Sequence, residues 1–440
     1  MNSDYKAGSI SLWDAVAMGT GVMIGAGILA LTGQIAELAG PTFPLVFIVG
    51  AIVTAFSAYT YIRMSNAYPS AGGIGMILQK AYGPTAVAAA AALLMALSMV
   101  INESLVARTF ANYLLRGLGI APDGLLVPAI GVALIIAAYV VNISGNRSVG
   151  WISQLLAVLK VGGITLFGIS ALWAGGFTFG TTGDGTASQG LSGFVGATAL
   201  AILAFKGFTT ITNSGAEIVD PHRNIGRAII ISLAVCVVVY LLVAFAVGSS
   251  LPLGKIVEAK DYALAEAAAP SLGETGFYLT VALALIATAS GVIASIFAVS
   301  RMLAMLTEMK LIPHSHFGMS GGVRDHTLIY TVVIASLLTI LFDVSRIASM
   351  GAFFYLVMDM VIHWGVYRNL RAELSAHGWI MLTAIGLDAI VLVVFASLKW
   401  QSDPMIVVVA FAIMACVLIF EHWFLQRTKP EPHQHDHNGN

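Results

Sequence analysis

Residues 204–229, AFKGFTTITNSGAEIVDPHRNIGRAI, constrain this chain more than any other stretch. A long apolar run ends at Phe205, and Lys206-Gly207-Phe208 interrupts it with a charge and a helix-weakening glycine. A polar half-helix follows, and the basic turn Pro221-His222-Arg223-Asn224 starts the next apolar run. A bilayer core of about 30 Å takes roughly 20 apolar residues per helix, and the runs on both sides reach that length. Inside a membrane a broken helix leaves backbone amides and carbonyls unpaired. That is tolerated only where they face protein or a water-filled cavity. Such a break points to the binding site of a membrane transporter.

Composition agrees with a membrane setting. Hydrophobic residues make up 58% of the chain and charged residues 10%, where soluble domains carry about 25% charged residues. So few charges cannot cover a water-facing surface. The net charge of −1 gives no reason to expect a nucleic-acid partner. Both cysteines, Cys236 and Cys416, sit in apolar runs, so the sequence predicts buried, inert thiols and no disulfide. The opening residues, MNSDYKAGSISLW, have no apolar core followed by a cleavage site, so they do not read as a signal peptide. No HExxH-type metal cluster is present and no serine or cysteine stands in a nucleophile setting, which argues against an intramembrane enzyme.

Hydropathy predicts an all-α membrane protein of twelve spans. They lie near 11–36, 42–66, 84–115, 124–142, 150–174, 191–216, 225–249, 275–307, 326–343, 346–368, 379–398 and 404–424. With the N-terminus inside, inner loops and ends hold thirteen Lys and Arg against five outside, which predicts both termini in the cytoplasm. The first span is interrupted at Gly21-Val22-Met23-Ile24-Gly25-Ala26-Gly27 and the sixth at Lys206-Gly207. These are matching places in two five-helix halves, 11–174 and 191–368. Because five is odd, the halves have opposite topology and the site lies between them. Two further helices cover 379–424, making 1–424 one transporter domain. Residues 425–440 read as a disordered cytoplasmic tail rich in histidine.

Several motifs now stand in order. They are Ile24-Gly25-Ala26-Gly27-Ile28 in helix 1, and Tyr68-Pro69-Ser70-Ala71-Gly72-Gly73 with Ala81-Tyr82-Gly83 after helix 2. Phe205-Lys206-Gly207-Phe208 with Glu217 and Pro221-His222-Arg223-Asn224-Ile225 follow, and Ser300-Arg301 with Leu311-Ile312-Pro313 close the set. Together they resemble the amino acid–polyamine–organocation (APC) superfamily over about residues 10–370. Lys160 and Ile211-Thr212-Asn213 are similar to its proton-coupled prokaryotic amino acid permeases. Lys206 departs from the pattern, which usually has a neutral residue there. The resemblance implies a LeuT-type, five-plus-five inverted-repeat fold with discontinuous helices 1 and 6. It also implies a plasma-membrane permease, with no cofactor beyond the proton as coupling ion, a small-molecule substrate, lipid neighbours, and a monomer or homodimer.

The candidate substrate-binding residues are Ile24, Gly25, Ala26 and Gly27 of the first break and Ala204, Phe205, Lys206, Gly207 and Phe208 of the second. A half-helix starting near Ile28 would offer free amides to a carboxylate. Half-helices ending there and near Ala204 would offer carbonyls to an ammonium group. An α-amino acid carries both groups. The plainer alternative is that the glycines only allow close packing. Phe205 is the candidate gate over substrate, with Phe208 second. For Lys206 three readings stand: a specificity charge for an acidic substrate, a partner of Glu103 or Asp359, or a chain snorkelling toward water.

The candidate proton-coupling residues are Lys160, Glu103, Asp359 and His363. A charge in mid-membrane is costly unless paired or hydrated, and a buried lysine gives up its proton more readily than a solvated one. In the resembled subgroup the matching lysine takes the place of the sodium ion held by sodium-coupled relatives. Asp359 and His363 are four apart and share a helix face. Arg108, five residues after Glu103, reads as its neutralising partner. Asp14 suits a helix N-terminus, and Glu217, Arg223 and Arg301 read as an inner salt-bridge network or as interfacial anchors. His314, His316 and the tail histidines have no defined site, and Asp388 has no explanation in the sequence. The expected function is proton-coupled amino acid or amine uptake. An exchanger and an acidic-substrate carrier are the nearest alternatives, ahead of a channel or a non-transporting sensor.

Overall fold

The computed structural model of the protein describes residues 8–70, 72–143, 149–177, 190–309 and 323–427. Lys6, Ala71, Arg147, Lys310, the Leu311-Ile312-Pro313 motif, His314, His316 and the histidines of the tail lie outside them, as do the side chains of Ala26 and Arg324. Among the described residues every regular element is a helix, and the one β contact is an isolated bridge between Ile10 and Ile218.

The chain opens with α1 (Leu12–Val22), which passes through a π-helical stretch, Met23–Gly27, into α2 (Ile28–Ala39). A short turn leads to α3 (Phe43–Ala67), then α4 (Gly73–Tyr82), α5 (Ala86–Gly117), α6 (Leu126–Ile143) and α7 (Val149–Ala174). The next helix, α8 (Gly190–Phe205), tightens to 3-10 winding at Lys206–Phe208 and continues as α9 (Thr209–Asn213). After it come α10 (Pro221–Ser250), α11 (Leu253–Glu258) and α12 (Ala263–Glu308). Gly273, at φ 69°, bends α12, so its membrane-length part begins just beyond. The last four are α13 (Val323–Leu341), α14 (Val344–Asn369), α15 (Gly378–Ser402) and α16 (Pro404–Arg427).

Among the described residues nine helices are long and apolar enough to cross a membrane. Three shorter apolar stretches, Leu12–Gly25, Val158–Ala174 and His326–Leu341, accompany them. Large apolar side chains stand exposed around the outside, among them Leu166 and Trp173 on α7, Val238 on α10, Val393 on α15 and Ile419 on α16. A soluble protein rarely carries apolar surface on this scale; here it is the lipid-facing coat. Cys416 is on that coat, so the predicted burial holds for Cys236 and not for Cys416. On a lipid-facing helix an apolar run no longer implies an inward face.

The core forms around α5, α8 and α14. On α8 every residue from Gly196 to Phe205 is buried. Two glycine motifs make this packing close. Gly73 has φ 47°, and a Cβ there would fall 1.9 Å from Asn213 Oδ1, which accepts the amide of Ile74 at 3.2 Å. The start of α4 is thereby tied to the end of α9. At the other end of α4, Tyr82 donates to the carbonyl of Val361 at 2.6 Å and Ala81 accepts from Asn369 at 2.7 Å, docking α4 on α14.

Ser11 and Asp14 form a capping box at the start of α1, as the carboxylate's position predicts. Residues Ile10 and Glu217 then pair backbone to backbone, with Ile10 N donating to Glu217 O at 2.9 Å and Val219 N to Ile10 O at 2.9 Å. At the opposite end, Gln34 donates to Asp261 at 2.7 Å and Lys260 to Glu37 at 2.8 Å. Gly33 allows this contact, because a Cβ would sit 2.3 Å from the Lys260 carbonyl oxygen. Since backbone cannot yield as a flexible side chain does, Gly33→Ala should push α2 from the loop before α12. The expected cost is about 1–3 kcal/mol, read as a lowered thermal unfolding midpoint of purified protein.

Candidate functional site

The two interruptions meet in the middle of the molecule. A Cβ on Gly207 would lie 2.7 Å from Met23 Cγ and 2.9 Å from Met23 N. One on Gly27 would lie 2.3 Å from the Tyr240 hydroxyl and 2.8 Å from the Ala204 carbonyl oxygen. Both glycines therefore serve close approach of the two segments, whatever else they do. Gly25 has more room, with nothing nearer than 3.5 Å.

Neither interruption is an open break. Residues Val22 to Ile28 keep right-handed helical torsions wherever the ends are defined, so the first changes from α to π winding instead of unwinding. The second tightens to 3-10. The expectation of loose carbonyls is corrected by Tyr240 of α10. Its buried hydroxyl shares one proton between Met23 O at 2.6 Å and Ala204 O at 3.0 Å. Irregular winding frees carbonyls in a low-dielectric interior, and each must find a donor or pay for being unpaired. The tyrosine supplies that donor to both segments at once. The sequence offered no signal for this, because one tyrosine in a 30-residue apolar helix looks like any other.

A cavity of about 370 Å³ opens beside this junction. It is walled by α1, α5, the α8–α9 region and α12, and runs from Gly27 and Leu31 to Ile10, Glu217 and Arg301. Of the candidate substrate residues, Gly27, Ala204, Lys206 and Gly207 line it, while Ile24, Gly25, Phe205 and Phe208 do not. Phe205 is fully buried on the Tyr240 ring, with centroids 4.8 Å apart, and Phe208 stands edge-on to Tyr61 at 5.2 Å. In this conformation the two phenylalanines are packing, away from the cavity. Polar lining that the sequence reading did not single out comes from Thr209, Thr210, Ser214 and Ser295. Asn102, beside Glu103 on α5, also faces the cavity.

Lys206 is buried, and its Nζ donates to the carbonyl and hydroxyl of Ser98 on α5. The same Nζ stands 5.8 Å from the ring centre of Tyr355. Among the described residues neither Glu103 nor Asp359 pairs with it, so that reading of Lys206 does not hold here. Glu103 is fully buried behind the cavity wall. Its Oε1 accepts from Ser295 Oγ at 3.1 Å, and its Oε2 has no donor among the described residues. Arg108 does not neutralise it, donating instead to the carbonyl of Thr339 on α13. Five residues advance a helix by about 500°, so the two side chains point to different sides.

Lys160 is 5% exposed and has no hydrogen-bond or ion-pair partner among the described residues. Its helix, α7, packs on α1, α10 and α12. Asp359 and His363 do meet, with His363 Nε2 3.0 Å from Asp359 Oδ2 and both side chains fully buried. At the far end of the cavity Arg301 bonds Glu217. Arg223 is exposed and takes no part, which reduces the expected three-residue network to a pair.

Removing the shared donor tests the junction. Tyr240→Phe should lower the thermal unfolding midpoint by an amount corresponding to about 1–3 kcal/mol, because two buried carbonyls lose their partner while packing volume is nearly kept.

Comparison with known proteins agrees with this architecture. A family model described as amino acid permease matches residues 10–434. An uncharacterized protein of Methanocaldococcus jannaschii is 28% identical over 430 residues, covering 97% of each chain. The inner membrane transport protein YbaT of Escherichia coli is 28% identical over 406 residues, covering 91% of this chain and 93% of its own. The branched-chain amino acid permease BcaP of Lactococcus lactis is 24% identical over 394 residues, or 82% of this chain and 81% of that one. The helical coat, the paired helix irregularities and this match over nearly the whole length establish the chain as a multi-pass membrane transporter belonging to the amino acid permease family of the APC superfamily.

Proposed function

We propose that the chain is a secondary active transporter taking up a small amino acid or related amine, coupled to protons, by alternating access. The observation that carries this reading is the cavity of about 370 Å³ beside the two helix irregularities. Its size falls in the roughly 300–1,000 Å³ range of small-molecule pockets. Apolar walls from Val22, Leu31, Met99 and Leu203 face hydrogen-bonding groups from Asn102, Thr209 and Ser295, a mixture suited to a zwitterion with a modest side chain. The charged groups lining it are Lys206, Arg301 and Glu217, a balance that favours a zwitterionic amino acid over an amine of net positive charge. The name of the Lactococcus relative points to the same neutral amino acids.

The wider architecture is part of the proposal: twelve spans, a five-plus-five inverted repeat, and both termini in the cytoplasm of a plasma membrane. On this topology the cavity leads toward the cytoplasmic side, past Glu217 and Arg301. The Gln34–Asp261 and Glu37–Lys260 contacts then close the outer side. Coupling rests on Lys160, whose burial without a partner among the described residues makes its charged form expensive. Glu103 is a second candidate, since its Oε2 lacks a donor among the described residues, directly behind cavity-lining Ser295.

In proteoliposomes, an inward proton gradient should speed uptake of a small neutral amino acid severalfold. Lys160→Ala should abolish that acceleration while substrate binding survives. Retention of gradient-driven uptake in Lys160→Ala removes the lysine from coupling. Counterflow insensitive to the gradient in the unaltered protein establishes an exchanger instead.

A second reading follows from Lys206 lining the cavity: an acidic substrate would draw its ammonium away from Ser98. Ligands that bind the folded state raise apparent stability by mass action. Neutral amino acids should therefore raise the unfolding midpoint in both the unaltered protein and Lys206→Ala. Stabilisation by glutamate or aspartate alone, lost in Lys206→Ala, reverses the substrate assignment.

A further inference from the structure

Behind the cavity, between α3, α14 and α15, lies a polar cluster with no exposure to solvent. Asp359 at its centre accepts from three donors: Ser57 Oγ at 2.6 Å, the Tyr61 hydroxyl, and His363 Nε2 at 3.0 Å. An ionised carboxylate offers about four lone-pair sites, so one acceptor site of Asp359 remains. Against it stands Asp388 of α15, also fully buried, with no donor to either of its oxygens among the described residues. Carboxylate and ring-nitrogen atoms of Asp359, His363 and Asp388 all lie within 4.8 Å of one another.

We propose that Asp359 and Asp388 hold one proton between them, carried on Asp388, as a proton-binding site distinct from Lys160. Two carboxylates this close, away from water, cannot both be ionised. A proton on Asp388 meets every requirement at once. It removes a buried charge that nothing solvates, and its O–H fills the vacant acceptor site of Asp359. His363 need not be charged. Thr60 Oγ1, 2.8 Å from Nδ1, can donate to that nitrogen, leaving Nε2–H to donate to Asp359. The charge then rests on Asp359, the one carboxyl with a full set of donors.

The other titratable groups around Asp388 are few. Helix α14 brings Tyr355, α3 brings Tyr61, and α8 brings none; α16 carries Glu421 and His422. Two of these link the cluster to the cavity. Tyr61 packs edge-on against Phe208, and the ring of Tyr355 stands 5.8 Å from Lys206 Nζ. Rewinding at Lys206–Phe208 would disturb both tyrosines, so occupancy of the proton site and helix movement are linked. That link rests on the alternating-access reading; the proton site does not.

The test is infrared spectroscopy on the full-length protein in lipid, without substrate, near neutral pH. The unaltered protein should show a protonated-carboxyl band, shifted in heavy water, with a component missing from Asp388→Asn. Glu103→Gln and Glu421→Gln, removing the other buried carboxyls that lack a full set of donors among the described residues, should each leave that component in place. Asp388→Asn mimics the acid in shape and donor, so its unfolding midpoint should stay within a few degrees. Asp359→Asn, which cannot accept the same three donors, should fall much further. An unchanged band in Asp388→Asn overturns the proposal. So does one metal ion per chain in elemental analysis of the unaltered protein, lost in Asp388→Asn. Should Asp388→Asn fail to fold, a band in the unaltered protein that never bleaches as pH is raised to the limit of folding also overturns exchange at this site. Absence of any uptake would refute the transport reading and leave the band to decide this one.

Discussion

Everything in this fold depends on how closely the two irregular helix segments approach. Their contact is made by backbone, with Gly27 against Ala204 and Gly207 against Met23, and it is fastened by the single hydroxyl of Tyr240. A membrane interior offers no water to repair an unpaired carbonyl, so irregular winding survives only where the protein provides a donor. Tyr240 lets both segments depart from α geometry together. It also rests its ring on Phe205 and Phe47, which builds the clip into the aromatic core.

The same rule sorts the buried charges. Lys206 is satisfied by Ser98, and Asp359 by Ser57, Tyr61 and His363. Lys160, Glu103 and Asp388 are left without full partnership among the described residues. Groups of the first kind have hydrogen-bond partners for the charge they carry. Those of the second kind are buried with polar atoms left unanswered, where an uncompensated charge is costly. The molecule thus divides its buried charges by the company each keeps.

Much of this was legible in the sequence, for physical reasons. Apolar runs of bilayer length, the interruptions at 21–27 and 206–207 and the glycine motifs are local signals, and they led to the correct family and to Gly27, Ala204, Lys206 and Gly207 at the cavity. The details that escaped are long-range. The partner of Lys206 is 108 positions away and two of the three donors to Asp359 come from a helix about 300 positions earlier. Arg108 was misjudged from sequence nearness alone, where helical phase points it to α13. The interruption in helix 1 read as a gap because glycine clusters mark weak helix, whereas dense packing around Met23–Gly27 retains a wider turn. Asp388 was unreadable because its meaning lies wholly in Asp359.

The π turn at Met23–Gly27 has a mechanical consequence. A π turn holds roughly one residue more than an α turn, so it is a length of slack wound into the first span. Giving that residue back would rotate α2 against α1 by about 100°, the angular step of one α-helical residue. The face of α2 carrying Leu31 would turn from the cavity while the chain stayed helical throughout. Gln34 and Glu37, which latch α2 to Asp261 and Lys260, ride on the same half-helix. One rewound turn would therefore act as a crankshaft, changing a wall of the cavity and its far latch in a single motion.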